Sequence, residues 1–155
     1  MPRPHVVIVT DDPDLRGFLT EGLLFAGFWT SAIASGLQVI EVFRLRLFDL
    51  ILIDGGIRGL SAGEVTRRLR SAAGRDEAPL TGAPILIVAA PEGRPEREAL
   101  RAAGADGFLD PPLELEGVAA TLMRSVLEWR RAHPDEPWAD APLPQSRGPR
   151  RDPET

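Results

Sequence analysis

A chain of 155 residues with 43% hydrophobic content can bury one core, so a single domain is the expectation. A formal net charge of -5 and a pI near 5.1 argue against general affinity for nucleic acid or anionic membrane and leave proteins as the expected partners. The absence of cysteine excludes disulfides, thiolate metal sites and thiol catalysis, and no apolar run is long enough for a signal peptide or a membrane span, which makes the cytoplasm the default expectation.

In chain order, Val6 to Val9 form a β-branched run that reads as a first buried strand, followed at once by Asp11 and Asp12. Asp12-Pro13 predicts a helix start, with Leu15, Phe18, Leu19, Gly22, Leu23 and Ala26 on one face and Gly27 as its stop. Phe28 to Ala32 predicts a weaker strand, and Gly36 to Arg46 a second helix through Val39, Ile40 and Phe43. Leu50 to Ile53 is an apolar run of the kind a strand covered on both faces shows, and it ends in Asp54.

Ser61 predicts a cap for a helix with Val65 and Leu69 inward, and Ser71 to Ala83 a polar loop. Ile85 to Val88 predicts a strand ending in Ala89 and Ala90, Pro95 to Ala103 a helix, and Gly107 to Leu109 a short last strand. Leu113 to Arg131 predicts a closing helix with Leu115, Val118, Leu122 and Val126 on one face. Five strands alternating with five helices imply an α/β fold, a parallel sheet wound on both faces. From Ala132 the chain is rich in proline and charge without apolar period, so residues 132–155 are expected to be a disordered Pro/Arg-rich tail after a domain of residues 1–131. Trp138 within that tail reads as incidental more readily than as a docking anchor.

The chemistry lies in carboxylates that end two strands. Asp11, Asp12 and Asp54 are expected to converge on a crevice at the carboxyl end of the sheet, where open α/β sheets bind ligands. Three such groups are costly without a cation, and Mg²⁺ takes a few carboxylate oxygens plus water or phosphate oxygens. Against that stands a plainer reading, in which Asp12 is only a helix cap and an aspartate after a strand only a turn residue.

These segments resemble the receiver domain of response regulators, the CheY-like family, from about His5 to Arg130. VIVTDDPDLR is similar to the acid-pair segment, DLILIDGGIRGLSAGEV to the phosphoacceptor segment, PILIVAA to the fourth strand and AGADGFLDPPLELEGV to the fifth strand and its loop. The resemblance implies a flavodoxin-like five-stranded sheet in the order 2-1-3-4-5. It implies Asp54 as phosphoacceptor, with Asp11, Asp12 and the Gly56 backbone carbonyl completing a Mg²⁺ site.

Two positions depart from the family pattern. Ala89 stands where the family has Thr or Ser, and Pro111 where it has Lys, so neither hydroxyl nor ammonium is available to a phosphoryl group. The chain has no lysine at all, which leaves Arg58 or Arg94 as the candidates to replace one. Phe108 matches the family's switching aromatic, though a plain core role is the reading its lost trigger favours.

The function so implied is an atypical stand-alone receiver in two-component phosphorelay signalling. A sensor histidine kinase or phosphotransfer protein would supply the phosphoryl group, and output would pass to a downstream protein partner. The alternative is a phosphorylation-independent pseudo-receiver, and the third reading is a metal-dependent phosphohydrolase. No enzyme activity beyond self-phosphorylation from a phosphodonor is expected. The sequence leaves the oligomeric state, a homodimer included, open.

Overall fold

The computed structural model describes residues 1–71, 79–88 and 93–142. The elements follow the predicted alternation: β1 (His5–Val9), α1 (Pro13–Phe25), β2 (Trp29–Ile33), α2 (Gly36–Phe43), β3 (Leu50–Asp54), α3 (Ala62–Arg70), β4 (Ile85–Val88), α4 (Arg94–Ala103), β5 (Gly107–Leu109) and α5 (Leu115–Ala132). All pairings are parallel, in the order β2-β1-β3-β4-β5. The flavodoxin-like order that the resemblance implied is therefore the observed one.

Alternation along each central strand feeds two cores. Val7, Val9, Ile51, Ile53, Ile85 and Ile87 pack against Val39, Ile40 and Phe43 of α2, Val65 and Leu69 of α3, and Leu100 of α4. The opposite face, with Val6, Ile8, Leu50, Leu52, Leu86 and Val88, packs against Leu19 and Leu23 of α1 and Val118, Leu122 and Val126 of α5. Burial of such a side chain contributes roughly 1.5–3 kcal/mol, which is why β1, β3 and β4 are continuous apolar runs and not alternating ones.

Helix ends depart from expectation by a few residues. The second helix stops at Phe43 and not Arg46, where the Arg44 and Leu45 amides donate three residues back, to the Glu41 and Val42 carbonyls, and tighten the last turn. Ser35 and Ser61 cap α2 and α3 through Gln38 N (3.1 Å) and Glu64 N (3.2 Å). Part of the predicted polar loop lies outside the described residues.

The tail expectation needs correction for residues 133–142. They form a strap across the amino-terminal end of the sheet, held by polar groups the sheet buries there. Asp49, just before β3, accepts from His5 N (2.7 Å), Arg130 Nη2 (2.6 Å) and Ala139 N (3.1 Å). His5 Nδ1 donates to the Asp140 carbonyl at 2.8 Å, and the Ser31 hydroxyl lies 2.7 Å from His5 Nε2. Trp138 packs against the α1/α5 core with the Arg130 guanidinium 4.1 Å from its ring centroid. A buried carboxylate needs partners, and the strap supplies one of them, so a proline-rich segment with no apolar period is ordered by polar contacts. Residues 143–155 lie outside the described residues.

Candidate functional site

Register decides which side chains meet Asp54. In the β1–β3 pairing Val9 stands opposite Ile53, so the next step of each strand places Thr10 beside Asp54. The Thr10 hydroxyl, 1% exposed, donates to Asp54 Oδ2 at 2.7 Å and accepts from Asp12 N at 3.1 Å. Asp54 itself is 8% exposed, and its other oxygen, Oδ1, accepts from Gly56 N at 2.9 Å. Both oxygens of the carboxylate thus have donors from the protein. Hydrogen bonds to a charged acceptor are the strong ones, so this is a well-satisfied anion.

The other two carboxylates are occupied differently. Asp12 is the N-cap of α1: its Oδ1 accepts from Asp14 N (2.9 Å) and Leu15 N (3.4 Å), with Pro13 at the first helical position. Asp11 accepts from Arg58 Nε at 3.0 Å, and that contact holds its carboxyl below the usual carboxylate range. Arg58 is 88% exposed, so the ion pair lies at the rim of the crevice and not inside it.

Whether these residues fit the magnesium implied by the resemblance can be judged from the donors. Among the described residues no group of three or more His, Asp or Glu side chains is placed to hold a metal ion. Asp54 has one donor on each oxygen, from a hydroxyl and an amide, the Asp12 carboxylate turns to the helix amides, and Asp11 faces a guanidinium. The expected convergence of three carboxylates is absent because register sets Thr10, and not an acid, against Asp54. In this arrangement the residues do not fit the cation.

The remaining candidates are placed as follows. Ala89 lies outside the described residues. Pro111 is exposed on the loop after β5 and has no N–H to offer. Arg94 lies along α4 and donates to Glu98 at 3.1 Å, in an exposed ion pair. Phe108 is half-buried against the α2–α4 core, with the guanidinium carbons of Arg97 and Arg101 at 4.9 and 4.8 Å from its ring centroid. Thr10 is the site residue that sequence reasoning missed; its signal was its position, one step past a buried strand next to the Asp54 strand.

A parallel sheet wound on both faces, with a carboxylate at the carboxyl end of its central strand, defines an α/β domain with a switch-point site. The model of the response regulator receiver domain matches residues 6–123, and the chain belongs to that family. It is 34% identical over 132 residues to response regulator MprA of Mycobacterium sp. strain KMS and 33% identical over the same length to that of Mycobacterium leprae. Those alignments cover 85% of this chain but only 53% and 54% of the relatives, so the chain spans about half the length of the curated relatives it matches.

Among solved structures it resembles the chemotaxis response regulator CheY4 of Vibrio cholerae at TM-score 0.71 and 22% identity, covering 80% of this chain and 99% of that one. It also resembles the receiver domain of sensor histidine kinase PA1611 from Pseudomonas aeruginosa PAO1 at TM-score 0.69 and 22% identity, covering 81% and 98%. That structure is described with a magnesium ion coordinated in its active-site cleft. At these identities the likeness establishes the fold. Receiver domains are signalling modules, in general phosphorylated on an aspartate, that act with histidine kinases and downstream targets. No described helix is long and apolar enough to cross a membrane.

Proposed function

We propose that this chain is an atypical receiver that works as a protein-interaction module without a phosphoryl group on Asp54. The observation that carries this reading is that the charges phosphoryl transfer needs are engaged elsewhere: Asp12 caps α1, Asp11 pairs with Arg58, and Arg94 pairs with Glu98. Transfer to a carboxylate is mostly positioning and electrostatic stabilisation, and among the described residues no arginine forms an ion pair with Asp54, the nearest cation at the crevice being Arg58 on Asp11 at its rim, so the main source of rate is weak there. Pro111 removes a further cation from the family pattern. Output then rests on a surface recognised by a downstream protein, in a cytoplasmic setting.

A second reading keeps Asp54 as phosphoacceptor with Mg²⁺. The Asp54 carboxylate would attack the phosphorus of a phosphohistidine on a sensor kinase or phosphotransfer protein, the P–N bond would break, and the imidazole would leave with a proton. Family membership and the placement of Asp54 at the end of β3 favour it. Reaching it requires Thr10 and Arg58 to release their partners. Phosphohydrolysis has less support, since no described side chain offers a general acid to Asp54.

Incubation of the folded protein with a labelled small phosphodonor and excess Mg²⁺ decides between these readings. The expected result is no label above that of the Asp54→Asn variant. Label on the wild type that Asp54→Asn abolishes would overturn the proposal and establish the phosphoacceptor reading.

A further inference from the structure

We infer that Thr10 is the residue that closes the Asp54 crevice to divalent cations, and that the site is one substitution from holding one. The inference deepens the proposed function at the same site, but it concerns metal binding and is separable from labelling.

The argument begins with what Thr10 does. Its oxygen uses a proton toward Asp54 Oδ2 and a lone pair toward Asp12 N, so a short chain of hydrogen bonds runs from the α1 amino terminus into the Asp54 carboxylate. Asp54 Oδ1 is taken by Gly56 N. A hard dication on Asp54 would have to displace the hydroxyl proton and would gain no second negative charge in return. Magnesium dehydrates reluctantly and needs oxygen ligands with charge to offset its lost waters. One carboxylate, already satisfied by two donors, offers little gain over water.

The nearby acids do not make up the difference. The Asp12 carboxylate serves the helix amides, and Asp11 at the rim is paired with the exposed Arg58. Position 10 is different, because β1–β3 register brings it directly beside Asp54. A carboxylate there would lie next to a second buried carboxylate, an arrangement that disfavours ionisation of both unless a cation sits between them. Such a pair both creates a binding site and makes the fold depend on filling it.

The test is the dependence of melting temperature on Mg²⁺, together with Mn²⁺ broadening of backbone amide signals. For the wild type, melting should be insensitive to Mg²⁺, and Mn²⁺ should not selectively broaden Thr10, Asp54 and Gly56. Thr10→Asp should melt lower than wild type without metal and rise steeply with added Mg²⁺, as linkage requires of a site present only in the folded state. Thr10→Asn, which adds an oxygen donor without a second charge, is a milder variant should Thr10→Asp fail to fold without metal; it should show Mn²⁺ broadening at Asp54 intermediate between the two. Wild-type melting that rises with Mg²⁺, with the rise abolished by Asp54→Asn, would overturn the inference. So would a folded Thr10→Asp protein that Mg²⁺ does not stabilise. A wild type that binds no metal yet takes up phosphoryl label would leave this inference standing and remove the proposed function, and the reverse pattern would do the opposite.

Discussion

Arg130 Nη2 donates to Asp49 Oδ1 at 2.6 Å, with the carboxylate side chain wholly shielded from solvent and the guanidinium 11% exposed. The same arginine stands over Trp138, so one side chain joins α5, the start of β3 and the strap. Breaking a buried ion pair from one side leaves an uncompensated charge and costs about 3–5 kcal/mol. Asp49→Ala is therefore expected to lower unfolding free energy by about that amount, read from denaturant titration. Asp49→Ala with Arg130→Met should recover part of the loss, since the stranded cation is then gone. A double variant as unstable as the sum of the singles would count against this coupling.

His5 gives the fold a pH dependence of predictable sign. Burial holds its imidazole below its ordinary value of 6.5, with the Asp140 carbonyl opposing and Arg46 assisting. In the unfolded chain the ring takes up a proton as pH falls through about 6.5, while the folded ring stays neutral. The stability due to this group is thus present above that pH and is lost as pH falls toward the lowered folded value. Unfolding free energy measured at several pH values across this window should decline on acidification in the wild type. His5→Gln should flatten that decline, and an unchanged slope would show that other groups set it.

Phe108 is clasped by two arginines of α4, and each such cation–ring contact at a partly exposed site is worth about 0.5–1 kcal/mol. Its orientation should not respond to a phosphoryl mimic such as beryllofluoride with Mg²⁺. Ring NMR signals of Phe108 recorded with and without the mimic are expected to coincide. A large shift confined to Phe108 and the loop after β4 would contradict this and would revive the switching role.

Gly36 opens α2 where that helix meets α3. A Cβ added there would lie 2.4 Å from Val65 Cγ2, itself fully buried, so the close approach of the two helices requires glycine. Gly36→Ala raises helix propensity by at most about 1 kcal/mol, yet overpacking costs about 1–3 kcal/mol. The variant should be less stable than wild type in chemical denaturation. Adding Val65→Ala should make the Gly36→Ala change neutral or favourable. A stabilising effect of Gly36→Ala alone would contradict the contact.

Much of the fold was legible because β1, β3 and β4 are covered on both faces and so appear as unbroken apolar runs. Asp54 was legible for the same reason, since a carboxylate at the end of such a run has few places to go. The partners of Asp54 were not, because Asp11 and Asp12 stand out by charge while contact is set by register, and register brings up the uncharged Thr10. The strap escaped for a related reason. Its composition signals disorder when apolar period is the only ordering force considered, whereas the unread signal was Asp49, an acid inside FDLIL that needs donors once buried.

The strap also bears on where this domain ends as a physical unit. The family match stops at residue 123, inside α5, and the whole Asp54 site lies before it. A fragment trimmed to that limit would keep every residue that defines the family and lose Arg130, Trp138, Ala139 and Asp140. Asp49 would lose two of its donors and the His5 ring its acceptor, opening the foot of β1 and β3 to water. The smallest piece that should behave as this protein therefore extends at least through Asp140, because its independence is set by the last buried polar group to be answered and not by the last recognisable motif.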